Sequence, residues 1–85
     1  MPKSVFTDAY ALMLVNLIAL RKERGVSQVE LARRLGKEQP FVSRIERGER
    51  RIDLIEFYAI ALALGFEPVA AFAQLIKDLP NKVSI

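Results

Sequence analysis

Four glycines punctuate this chain at positions 25, 36, 48 and 65, and each follows a stretch with helical apolar spacing. A glycine just past an apolar-periodic run is a helix stop signal. The intervals of eleven, twelve and seventeen residues leave room only for short helices between the stops. No segment sustains the alternation of a strand, and the few β-branched residues fall at helical spacing. The chain therefore reads as all-α: five short helices in one compact domain of 85 residues.

The starts are as readable as the stops. Thr7 or Asp8 can cap a first helix that runs to about Arg24. Ser27-Gln28-Val29-Glu30 has the form of a capping box, with the Ser27 hydroxyl on the Glu30 N–H and the Glu30 side chain reaching back. It opens a second helix over 28–35. A third is predicted over 39–47, with Pro40 in the first turn, where no intrahelical N–H is needed. Asp53 caps a fourth that runs to about Leu64, its Asp53-to-Glu56 spacing a weaker version of the same box. Glu67-Pro68 starts a fifth that runs to about Asp78, closed by Pro80. Residues 1–6 are expected to be a lead-in and 80–85 a tail.

Composition removes most chemistry. With no cysteine there is no disulfide framework, thiolate metal site or cysteine nucleophile. With no histidine, the usual general base and the commonest metal ligand are missing as well. No catalytic spacing of carboxylates, Lys or Ser is present, nor a Gly-rich phosphate loop. The chain is not expected to be an enzyme, or to hold a metal or cofactor. The apolar run from Ala9 to Leu20, broken by Asn16, is too short to span a bilayer. Its flanks do not suit a signal peptide, so a cytoplasmic protein is expected.

The formal charge of +3 hides an asymmetry. Residues 21–51 hold ten Lys or Arg against five Glu, a local +5, and the remainder is −2. A basic middle between near-neutral ends suits a local nucleic-acid footprint, although a solvated, Arg-rich helix face has the same signature.

Two short helices joined through Gly36 have the form of a helix-turn-helix. Ala32 is small, as a close helix crossing requires. Leu31, Leu35, Val42 and Ile45 fall on faces that would pack together, which leaves Gln39, Pro40, Ser43, Arg44 and Arg47 on the other side of the third helix. A short helix that buries Val and Ile while presenting Gln, Ser and Arg suits the major groove of DNA. There Gln can bind adenine N6/N7 and Arg can bind guanine O6/N7.

The string Arg21, Gly25-Val26-Ser27-Gln28, Glu30-Leu31-Ala32, Leu35-Gly36, Gln39, Val42-Ser43, Ile45-Glu46, Gly48 and Arg50, followed by Ala61-Leu62-Ala63-Leu64-Gly65, resembles the lambda repressor/Cro class of DNA-binding domains, the XRE type. The resemblance implies a five-helix lambda-repressor-like domain with its helix-turn-helix at about 28–47, bound to double-stranded DNA. It implies base contact by Gln39 and Arg44. Ser43 would meet a base, a phosphate or its own helix. Pro40 stands where some relatives carry a polar residue, and offers only apolar contact to a base.

Gln28 corresponds to a phosphate-contacting position, helped by the amides of its helix terminus. Lys37, Arg47, Arg50 and Arg51 would supply further phosphate contacts. Phe41 would lie along the sugar-phosphate backbone or pack against the second helix. Glu38 stands where many relatives have a Ser or Thr cap. Arg21 and Glu46 match a pair that the family often joins in a semi-buried salt bridge.

The first and fifth helices carry more apolar residues than one core face needs. They either cover each other within one chain or join two chains. The reading adopted is a homodimer through Leu12, Val15, Ile18, Phe72, Leu75, Ile76 and Leu79, which would set two recognition helices on a pseudo-palindromic operator. The expected function is a sequence-specific transcriptional regulator. The alternative is an antitoxin-type or other protein-interaction module on the same fold, with the short stretch after Leu79 weighing against a toxin-wrapping tail.

Overall fold

The computed structural model describes residues 8–85; the expected lead-in at 1–6 and the cap at Thr7 lie outside the described residues. Among the described residues there are five helices and no strand: α1 Asp8–Glu23, α2 Gln28–Arg34, α3 Gln39–Glu46, α4 Leu54–Ala63 and α5 Pro68–Leu75. α2 and α3 form the closest pair, α1 crosses both α3 and α5, and α4 joins α2 to α5. One core runs through all five, from Tyr10, Leu14, Leu17 and Leu20 of α1 to Ala71 and Leu75 of α5, with Val42, Ile45 and Ile60 between them. No single helix among the described residues is long and apolar enough to cross a membrane.

The glycine stops all use one device. Gly36 takes the left-handed conformation, φ +70°, which costs a residue with a Cβ roughly 1–2 kcal/mol. The turn lets the Gly36 N–H reach the Arg33 carbonyl at 3.1 Å and the Lys37 N–H reach the Ala32 carbonyl at 2.8 Å. These two bonds are a Schellman motif, and they satisfy carbonyls that the ending helix leaves open. The same pair of bonds closes α1, α3 and α4 at the other three glycines.

The caps depart from expectation in an instructive way. Ser27 accepts from the Glu30 N–H at 3.0 Å, but the Glu30 carboxylate turns instead to Arg33 and Arg34. The expected box on α2 is therefore half formed, because two guanidiniums at i+3 and i+4 outbid one backbone amide. The weaker-looking box on α4 is complete. Asp53 accepts from the Glu56 N–H at 2.7 Å, and Glu56 accepts from the Asp53 N–H at 3.0 Å.

α5 ends at Leu75, three residues short of the expected Asp78. The cause is Asn16 of α1. Its amide donates to the Leu75 carbonyl at 3.0 Å and the Lys77 carbonyl at 3.3 Å. The Leu79 N–H, which a continuing helix would give to Leu75, turns to Ile76 at 3.2 Å, and Asp78 adopts a positive φ of 68°. The one polar residue in the apolar run of α1 is thus the clasp that terminates α5.

Candidate nucleic-acid interface

Ala32 is almost completely buried, so α2 and α3 approach closely where it sits. Val42 and Ile45 point from α3 into the core, at 2% and 1% exposure. That fixes the rotation of α3. Pro40, Arg44 and Arg47 are exposed, and Gln39 and Ser43 are half-buried at the rim. Glu38, the residue before α3, is extended and makes no side-chain cap bond, so the first turn of α3 rests on Pro40 and tertiary packing.

A chain of side-chain hydrogen bonds connects this face to the core. Arg21, 8% exposed, donates from Nε to Glu46 Oε2 at 2.6 Å and from Nη2 to Glu46 Oε1 at 2.9 Å. Its Nη1 donates to the Val26 carbonyl at 2.8 Å. Gln28 Nε2 donates to Glu46 Oε1 at 2.8 Å, and Gln39 Nε2 donates to Gln28 Oε1 at 2.8 Å. The expected Arg21–Glu46 pair is therefore present between α1 and α3. Gln28, expected to face phosphate, has both ends of its amide engaged inside the protein. Both are positions that sequence reasoning singled out; their connection in series it did not foresee.

The basic residues divide into two groups. Arg50 donates to both oxygens of Glu56, at 2.9 and 2.7 Å. This contact, then the Asp53 N–H, holds the Glu56 carboxyl below its ordinary range, and Glu56 raises Arg50 in return. Arg33 and Arg34 pull the Glu30 carboxyl down to about 2. Arg34 also donates to the Ala63 carbonyl at 2.9 Å and Arg24 to the Gly65 carbonyl at 3.3 Å, both at the C-terminal end of α4. Arg24 further stacks over Phe66, 4.0 Å from its centroid. Arg24, Arg34 and Arg50 are fasteners between elements, while Arg33 stays within α2.

Around α3 the picture differs. Arg44 makes no ion pair with any described residue. Among the described residues Arg47 meets only the exposed Glu49, at 3.1 Å. Lys37 and Arg50 lie over the Phe41 ring, 5.2 and 4.8 Å from its centroid. Phe41 is half-buried and packs against the core. Arg51 stacks on Tyr10 at 4.4 Å, while the Tyr10 hydroxyl accepts from the Ile52 N–H at 3.1 Å.

The apolar residues assigned to a second chain also separate. Leu75 is 3% exposed and belongs to this chain's own core, so it has little surface to offer a partner. Leu12, Ile18 and Leu79 are half-buried; Val15, Phe72 and Ile76 are exposed. Four exposed apolar residues that sequence reasoning missed lie on α4: Leu54, Ile55, Tyr58 and Leu62. Leu54, Ile55 and Phe72 line an open groove of about 590 Å³ together with Met13 and Ile52. Their helical spacing was readable, but periodicity alone does not say which side of an apolar helix is left uncovered.

A short α2, a left-handed glycine turn and an α3 with a polar outer face make a helix-turn-helix. The helix-turn-helix family profile matches residues 17–70. An uncharacterized HTH-type transcriptional regulator, y4dJ, of Sinorhizobium fredii is 39% identical over 62 residues, covering 73% of this chain and 80% of that one. A hypothetical transcription factor of Neisseria meningitidis is 38% identical over 69 residues, covering 81% of this chain and 62% of that one. Among solved structures, an XRE-family like protein from Pseudomonas syringae superposes with a TM-score of 0.75 at 40% identity, over 85% of this chain and 88% of that one. The restriction-modification controller protein C.AhdI from Aeromonas hydrophila gives 0.64 at 35% identity, over 78% of this chain and all of that one. The chain belongs to the XRE-type helix-turn-helix family of DNA-binding domains.

Proposed function

We propose that this protein is a sequence-specific regulator of transcription that sets α3 in the major groove of an operator. The observation that carries the reading is the division of α3 into two faces. Val42 and Ile45 are buried, while Arg44, unpaired among the described residues, stands outward beside Gln39 and Ser43. Gln39 and Arg44 read bases, Ser43 and Pro40 border them, and Lys37 and Arg47 meet phosphates. The regulators among its relatives support the same role, and the family is one of DNA-binding domains rather than of enzymes.

The working form is a homodimer. One helix of eight residues reads few base pairs, and two copies about 34 Å apart read a pseudo-palindrome. The exposed apolar surface of α4 and α5, with Ile55, Tyr58, Phe72 and Ile76, is the surface that supports it. Binding-site selection from random duplex DNA at low salt tests the proposal. A palindromic enriched sequence is expected, lost in Arg44→Ala and in Gln39→Ala with the helical circular-dichroism signal intact. Failure to enrich any sequence refutes it.

A further inference from the structure

α3 and α5 both begin after a glutamate in extended backbone, yet the two carboxylates are used differently. A capping side chain accepts from the amide of the second or third helical residue. In α5 the proline is the first helical residue, Pro68, so both of those amides are free to donate. Glu67 accepts from the Val69 N–H at 3.1 Å and the Ala70 N–H at 2.9 Å. In α3 the proline sits one position later. Pro40 is the second helical residue and has no N–H. The third, Phe41, gives its N–H to the Glu38 main-chain carbonyl at 3.0 Å. The Glu38 carboxylate is thus left without the bonds that hold Glu67.

The other carboxylates of the helix-turn-helix are engaged, Glu30 by Arg33 and Arg34, and Glu46 by Arg21 and Gln28. Glu38 is exposed, and its side chain has no hydrogen bond or ion pair among the described residues. We propose that this carboxylate is a specificity-determining contact that selects a cytosine at one base pair of the DNA site. The inference rests on the reading of α3 as the helix set in the major groove. Glu38 adjoins the N-terminal end of α3, the end that reaches base edges in that arrangement. An ionised carboxylate has only lone pairs to offer. Cytosine presents an N4–H₂ donor to it, whereas thymine presents the O4 acceptor and guanine the acceptors O6 and N7. Adenine sets its N6–H₂ donor beside the N7 acceptor, so only part of its edge suits Glu38. A negative charge on this face also repels the phosphates of every duplex. Only a duplex with a donor in reach offsets that repulsion, so Glu38 disfavours wrong sites as well as favouring the right one.

Binding-site selection from random duplex DNA, run in parallel on wild type, Glu38→Gln and Glu38→Ala, tests the proposal. Wild type is expected to enrich a cytosine at a base pair whose selection depends on residue 38. Glu38→Gln keeps the shape of the side chain and gives it an NH₂ group that can meet thymine O4. Glu38→Ala removes the contact and the charge together. In both variants the cytosine-to-thymine ratio at that base pair is expected to fall at least about threefold, within the discrimination that a base contact supplies. Glu38→Ala is also expected to bind a duplex lacking the site more tightly than wild type does. A fall of less than about threefold at every base pair, in either variant, overturns the proposal, as does weaker binding of Glu38→Ala to the duplex lacking the site. Thermal midpoints matching wild type are expected, because the Glu38 side chain makes no cap bond. A clear drop in both variants would show that the carboxylate serves the fold, and would overturn the proposal too. Wild-type protein that enriches no sequence refutes the DNA-reading function itself, and this contact with it.

Discussion

Arg50 grips Glu56 through both carboxylate oxygens, and the same Glu56 closes the start of α4 by accepting the Asp53 N–H. A cation that composition assigns to the basic middle of the chain is thereby committed to the protein's own frame. Arg50→Gln is expected to alter the salt dependence of DNA binding little while lowering stability. Lys37→Gln should do the reverse, reducing the slope of log affinity against log salt by about 0.9, the amount that neutralising a single phosphate contributes. Titrations at a series of salt concentrations, with urea melts of both variants, check the contrast. Equal reduction of slope in the two would contradict it.

The Arg21–Glu46 pair is buried, with side chains 10% and 6% exposed. Arg21→Met removes one partner and leaves the Glu46 charge stranded beside the core. A loss of about 3–5 kcal/mol in urea unfolding is expected, as for other buried pairs broken from one side. A loss below about 1 kcal/mol would mean that water reaches Glu46 and solvates it.

Glu56 and Glu30 both titrate below the ordinary 4.5, Glu30 at about 2. In the unfolded chain each returns to the ordinary value, so folding is favoured by their ionised forms. Their contribution is complete above about pH 4.5 and is lost as pH falls through the lower folded values. Glu56→Gln should therefore flatten the fall of stability below pH 4.5 relative to wild type, read from urea midpoints at descending pH. A variant with wild-type acid sensitivity would show that Arg50 does not favour the Glu56 carboxylate in the folded state.

Asn16→Ala removes the amide that meets the Leu75 and Lys77 carbonyls. The expected cost is about 1 kcal/mol, typical of a side-chain hydrogen bond. Hydrogen exchange should accelerate first at the end of α5 and least in α2 and α3. Uniform acceleration across the chain would argue against a local clasp.

Ile55→Glu changes a residue that is 75% exposed, so the fold should survive. On the dimer reading, the variant sediments as a monomer at concentrations where wild type is dimeric. It also loses preference for a palindromic site over a single half-site. Wild type that is monomeric with and without DNA would remove the basis for that reading.

How much of this was legible in the sequence follows from the range of the forces involved. The helix stops were legible because a glycine turn is local: it needs only the carbonyls of the preceding turn. The rotation of α3 was legible because Val42 and Ile45 are the apolar pair of a short polar helix, and burying them leaves one outward face. The Arg21–Glu46 pair came from family resemblance, since a contact across 25 residues leaves no periodic trace.

The rest depends on which long side chain finds which partner. Glu30 is drawn from its backbone amide by two arginines on its own helix, while Glu56 serves its amide and Arg50 together. Spacing alone does not rank those outcomes. Nor does it show that Leu75 faces inward while Phe72 and Ile76 remain at the surface, because α5 is apolar on nearly every side and only its packing on α1 and α4 decides.

Arg34 reaches the Ala63 carbonyl that ends α4 and Arg24 the Gly65 carbonyl of the turn after it, where planar, multiply donating guanidiniums suit the open helix end. Heat resistance and electrophoretic behaviour should therefore come apart in this molecule. A variant carrying Arg24→Lys and Arg34→Lys would leave an ion-exchange column at an unchanged salt concentration. It would nonetheless melt earlier than its parent, with α4 loosening from the end that the two arginines tie down.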